Sequence, residues 1–148
     1  PPADAKEEMR GIKYRLSNGN YIEKTMYFFI IAMVDDTPRK AVITMRSSNL
    51  TPARKLNDLI SNLRMTDDKG SFQPAAYSAV FKLQTAEKNA GDKTWHVYKP
   101  SMVRMLDVSN EKDAAIYMMA QEFQKQVSTG VSKPKYEKVE EGKSEDII

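Results

Sequence analysis

The sequence contains no cysteine, and that absence closes several chemistries at once. Disulfides, thiolate nucleophiles and zinc sites built on cysteine are all excluded. Histidine occurs once, as His96, so a multi-histidine metal cluster is excluded as well and no metal is expected. The six glycines are scattered, and none forms part of a loop able to cradle a phosphate. Long apolar runs are also missing. The longest, Met26 to Val34, is strand-sized and stops at Asp35-Asp36, well short of the roughly 18 residues that a membrane-crossing helix needs. No secretory signal is legible. The chain opens on Pro1-Pro2 without a Met, as expected of a trimmed or engineered end with residues missing upstream. A cytosolic setting fits, bacterial or inside an infected cell.

Catalytic groups are equally thin. Asp35-Asp36 and Asp67-Asp68 are adjacent acid pairs, but both sit in turn-forming text, where Asp is favoured for local reasons. His96 lies between Trp95 and Val97 in a short strand without a visible partner for acid–base work. The nine methionines fall mostly on core stripes, the ordinary use of a flexible apolar side chain. The expectation is a non-enzyme with no catalytic residue and no cofactor.

Charge is present, and unevenly placed. From Glu137 onward five acids face two lysines, a net of −3, whereas residues 1–136 hold 21 basic and 15 acidic side chains, a net of +6. A basic body suits an anionic partner, and an acidic tail suits a separate task. The 148 residues fit one domain.

Residues 1–12 are polar and read as a flexible lead-in, and Asn18-Gly19-Asn20 as a turn. Met26–Val34 is apolar on both alternating faces, the pattern of a strand at the centre of a sheet or barrel. After the turn at Asp35–Pro38, Ala41, Ile43 and Met45 alternate with Lys40, Thr44 and Arg46, giving a hairpin with a half-exposed basic face. Thr51 is expected to cap a helix with Pro52 in its first turn. Its apolar stripe is Leu56, Leu59, Ile60 and Leu63. After an exposed loop over 66–74, strands are expected at 77–83, 94–98 and 102–108, with a hairpin loop at 87–93. Asn110 caps a final helix with Asp113 at its third position, a stripe of Ile116, Met119, Ala120, Phe123 and Val127, and Gly130 as its end. From Ser132 the composition cannot bury a core. The fold class expected is therefore mainly β with two helices: an OB-like five-stranded barrel over 13–131, a C-terminal helix, and a disordered acidic tail over 132–148. A split β-sandwich gives a similar reading.

The stretch from Arg46 to Lys55 leaves a basic strand face, passes hydroxyl and amide side chains, and enters a helix. Arg54 and Lys55 read as first-turn cations, poorly placed against the helix dipole unless a phosphate joins them. An Arg54–Asp58 pair at i, i+4 is the plainer account. Stacking platforms for single-stranded nucleic acid are available in Tyr77, Trp95 and Tyr98, with Lys82, Lys99 and Arg104 in the same strands. Each of these aromatics is also eligible for the core, where Phe28, Phe29, Phe81 and Phe123 are expected to lie.

The order Ala41–Ile60 (Ala-Val-Ile-Thr-Met-Arg-Ser-Ser-Asn-Leu-Thr-Pro-Ala-Arg-Lys-Leu-Asn-Asp-Leu-Ile), then Tyr77–Leu83 (Tyr-Ser-Ala-Val-Phe-Lys-Leu), then a strand around Trp95, resembles small tailed-bacteriophage proteins taken to be single-stranded DNA-binding proteins. The resemblance spans about 25–130. It implies an OB-like fold, sequence-tolerant binding of single-stranded DNA during phage replication or recombination, no cofactor, and a place in the cytoplasm of the host bacterium. The tail resembles that of bacterial single-stranded DNA-binding proteins, but ends in Asp146-Ile147-Ile148 where that pattern has Pro-Phe. The expected nucleic-acid contacts are Lys40, Arg46, Arg54, Lys55, Tyr77, Lys82, Trp95, Tyr98, Lys99 and Arg104. Asp146, Ile147 and Ile148 are expected to hold a replication partner, no membrane is involved, and a homo-oligomer is admissible. An RNA-binding OB module and a non-catalytic protein-docking adaptor are the rival readings.

Overall fold

The computed structural model describes residues 2–8 and 12–130. Among them nine strands and two helices follow in chain order, and every strand pairs with a neighbour in sequence. Strands β1 (Lys6–Glu8), β2 (Lys13–Arg15) and β3 (Tyr21–Glu23) form a small antiparallel meander. Part of the expected lead-in is thus a strand, held to β2 by an Arg15–Glu8 ion pair of 2.9 Å.

Strands β4 (Thr25–Val34) and β5 (Thr37–Arg46) make the hairpin expected from the alternation, paired without a slip over all ten residues of each. Asp35 and Asp36 both take positive φ, 50° and 60°, the geometry that a tight two-residue hairpin turn demands and that Asp tolerates. A 3-10 turn at Ser47–Asn49 leads into helix α1 (Leu50–Ser61). A second short hairpin, β6 (Met65–Asp67) and β7 (Gly70–Phe72), occupies the segment expected to be loop. Beyond another 3-10 turn at Ala76–Ser78 come β8 (Ala79–Ala90) and β9 (Lys93–Met105), joined at Gly91-Asp92, and finally helix α2 (Glu111–Ser128).

The mainly β, two-helix composition holds, but no closed barrel forms among the described residues. The expected fourth and fifth strands are one: β9 runs thirteen residues straight through Pro100. Proline lacks an N–H and is tolerated where one side of a strand is unpaired, and β9 pairs only with β8. The two long hairpins are joined by α1, which wedges between them. Met45, Ala53 and Leu56 are buried at this seam, with Met26, Phe28, Ile43, Ile60, Phe81, Leu83 and Tyr98 packed around them. Side chains fill the place where a barrel would need strand-to-strand hydrogen bonds. The other face of the first hairpin meets α2 through an edge-to-face contact of Phe29 with Phe123, centroids 5.9 Å apart. β4 is therefore apolar on both faces because a helix lies on each, and not because strands flank it.

Helix α2 starts as its sequence dictates. Asn110 Oδ1 accepts from the backbone N–H groups of Lys112 and Asp113, at 3.0 and 3.2 Å, satisfying donors that a helix start leaves free. The Asp113 carboxylate, buried, takes a two-armed bond from Arg104 at 2.6 and 2.9 Å and accepts the Asp107 N–H at 2.8 Å. The Arg104 hydrogen bonds, then the Asp107 N–H, pull its pKa down to about 2 from 3.8. A carboxyl depressed in the folded state binds its proton more readily once unfolded. Its stabilising contribution is complete above about pH 4 and disappears as pH falls through about 2. Thermal melts between those limits are expected to show wild-type protein losing stability faster than Asp113→Asn, which starts lower and lacks this step. Parallel acid profiles for the two proteins would remove the assignment.

Candidate functional site

The turn out of β5 sets the site. Ser47 takes φ 53°, which swings the chain so that α1 starts against β9. Asn49 precedes the helix, yet its side chain does not cap it; Asn49 Oδ1 instead accepts the backbone N–H of Tyr98 at 2.8 Å. The helix begins at Leu50, one residue before the expected cap Thr51, and Pro52 sits buried at its third position, where no donor is missed. Arg54 and Lys55 consequently lie in the second turn, beyond the strongest part of the helix dipole, which fades within the first turn. Arg54 forms no ion pair with Asp58 among the described residues.

Between the start of α1 and the β8–β9 hairpin lies a groove of about 490 Å³. Ser48, Thr51, Pro52 and Lys55 line it from the helix side; Ala86 and Lys88 from β8; Trp95, Val97, Tyr98, Lys99 and Pro100 from β9. Three lysines, two aliphatic hydroxyls, an indole and a phenol share this surface, and no carboxylate lines it. Pairing explains the convergence: Lys88 stands opposite Trp95, and Ala86 opposite Val97, so lysine and indole sit side by side. Trp95 is 36% exposed. Tyr98 is half-buried and packs on the Met45–Ala53–Leu56 cluster, so it belongs to groove and core together.

Four of the expected contacts therefore meet here: Lys55, Trp95, Tyr98 and Lys99. Six do not line the groove. Lys40 donates to Gln126 at 2.8 Å and lies 5.5 Å from the centroid of Phe123, bracing α2 against β5. Arg104 is committed to Asp113. Tyr77 sits in the 3-10 turn before β8, edge-on to Tyr117 at 5.0 Å; burial there, with Tyr117 beside it, raises the pKa of its phenol. Arg46, Arg54 and Lys82 are exposed outside the groove. Lys88 is the groove lysine that the sequence reading does not offer, because 87–93 reads as a loop. The alternation Lys82, Gln84, Ala86, Lys88 continues the strand period and would have placed it. Asp146, Ile147 and Ile148, with the whole of the expected tail, lie outside the described residues. Within those residues no helix is long and apolar enough to cross a membrane, and no cluster of His, Asp or Glu is arranged to hold a metal ion.

No curated protein and no solved structure matches the chain. A family model does, described as Pam3 phage gp34-like protein, and it spans residues 2–133. The match takes in the meander, both long hairpins, the groove and α2, and the chain belongs to the Pam3 phage gp34-like protein family.

Proposed function

We propose that this phage protein binds single-stranded DNA in the groove between α1 and the β8–β9 hairpin, without strong sequence preference and without catalysing a reaction. The observation that carries the reading is the meeting of Lys55, Lys88 and Lys99 with the exposed face of Trp95 on a surface free of carboxylates. Cations along a groove hold phosphates regardless of base, and an aromatic face accepts any base by stacking. Ser48 and Thr51 add hydroxyl donors for phosphate oxygens. A concavity suits an unpaired strand, whose bases can splay into it, better than a duplex, which is read by elements that protrude into its grooves. An OB-like platform is the fold-level part of the same reading, with α1 set across paired strands. Replication or recombination in the host cytoplasm is the setting in which such a protein acts.

The test is a salt-resolved titration with oligo-dT, oligo-U and duplex, followed by Trp95 fluorescence. Quenching is expected on oligo-dT because the indole stacks on a base. The affinity is expected to fall with log salt at a slope of about −0.7 for each phosphate held, so about −2 for three lysines. Stronger binding to oligo-U would make this an RNA module. No binding to any of the three would leave the groove as a protein-docking surface.

A further inference from the structure

The run Met26–Val34 has the sequence of a central strand, apolar on both alternating faces, yet the fold leaves it at an edge. β5 pairs with β4 along its whole length, and no strand among the described residues pairs with the other side. Natural edge strands are guarded by charges, prolines or bulges that discourage further pairing. The other long strands have such guards. β5 carries Pro38, Arg39 and Lys40, β8 carries Lys82 and Lys88, and β9 carries Pro100 and a register shift against β8. β4 has no charged residue, no proline and no glycine, and its pairing with β5 has no shift. Tyr27, Phe29, Met33 and Val34 remain between 38% and 46% exposed on it.

We propose that β4 pairs antiparallel with β4 of a second copy of this chain, giving a four-stranded sheet in the order β5–β4–β4–β5 across a two-fold axis. Such a contact is self-complementary, so it closes as a dimer and does not propagate. Charge selects the copy as the occupant. Two β4 strands face each other with no charge opposed to a like charge, whereas β5 or β9 set against its own copy would bring cations against cations. In the dimer the cationic β5 strands become the outer edges, and both carry the guards that an outer edge requires. The helices meet β4 through side chains on its faces, and no strand among the described residues takes up the hydrogen-bonding groups of its other edge. The inference is independent of the groove, which lies on the other hairpin.

Sedimentation of the full chain at about 100 μM is expected to give twice the chain mass of 16.8 kDa, and Met33→Lys, which puts a cation in the pairing strand, is expected to return it to monomer. Location is read separately, because the chain has no cysteine of its own. Single cysteines placed in turn at Tyr27 through Ile31 are expected to crosslink two chains under mild oxidation at the one or two positions nearest the axis. Val103→Cys, at a site 54% exposed on β9, is expected not to crosslink. A monomer mass for the unmodified chain overturns the proposal. So does a dimer whose crosslinks fail to peak within β4 or are matched by Val103→Cys. Should Met33→Lys fail to fold, the mass of the unmodified chain and the crosslinking series still decide.

Discussion

Replacing Lys55, Lys88 and Lys99 together with alanine is expected to flatten the salt dependence of single-strand binding by about two units of log–log slope. Each lysine that holds a phosphate releases counterions when it binds, and each contributes about −0.7 to the slope on a single strand. Between 50 and 200 mM salt, such a slope makes the unmodified protein lose about 20-fold in affinity that the triple variant no longer has to lose. The loss should be even across sequences, because phosphates carry no base information. Folding should be unaffected, since all three side chains are exposed and none is in an ion pair among the described residues. A control triple of Arg46, Arg54 and Lys82, equally cationic but outside the groove, is expected to change the slope little. If the two triples behave alike, binding is the work of net charge and not of this groove.

Met45→Ala is expected to have the largest effect on stability. Its side chain is 0% exposed, against Ala53 and Leu56 at the seam between the hairpins. Truncating a buried methionine costs about 2–5 kcal/mol in transfer and cavity terms, from a total of about 5–15 kcal/mol for a domain. The seam has little in reserve, because among the described residues the buried apolar side chains other than proline are Met45, Leu50, Ala53, Leu56, Leu63, Val97 and Phe123. Urea unfolding at fixed protein concentration should show the midpoint dropping by about 1–2 M. The same measurement on Met118→Ala, 67% exposed on α2, should show almost no change. A midpoint for Met45→Ala within error of the parent would mean that α1 does not join the hairpins in this way.

The parts of the fold that could be read from sequence are those decided within a few residues. The alternation of Ala41, Ile43 and Met45 gave the buried side of β5, the Asp35-Asp36 pair gave the turn, and Asn110 with Gly130 bounded α2. The illegible parts depend on neighbours far along the chain. Pro100 reads as a break, and only the geometry of a strand paired on one side allows β9 to run through it. Asn49 outranks Thr51 at the entry to α1 because the α1–β9 contact gives its side chain a partner in Tyr98. Arg104 looks like a phosphate ligand until Asp113, nine residues on, is seen beneath it. Within the groove, Trp95 and Lys99 follow from residue type, whereas Lys88 follows only when the alternation of β8 is carried on past Ala86, through text that reads as a loop.

Every strand pair joins chain neighbours, from β1–β2 to β8–β9, and this bears on how the protein is made. Each hairpin closes over a short loop, so little chain entropy is lost before its contacts form. Topologies dominated by such local pairs reach the native state sooner than barrels, whose closing strands must wait for distant partners. On a ribosome, β4–β5 has both strands once residue 46 has emerged, and the seam with α1 can follow without β8–β9, which adds to it later. The β4 edge is then exposed from an early point of synthesis. Nascent chains on one message are close together, so an unguarded edge of this kind could find its match before either chain is finished.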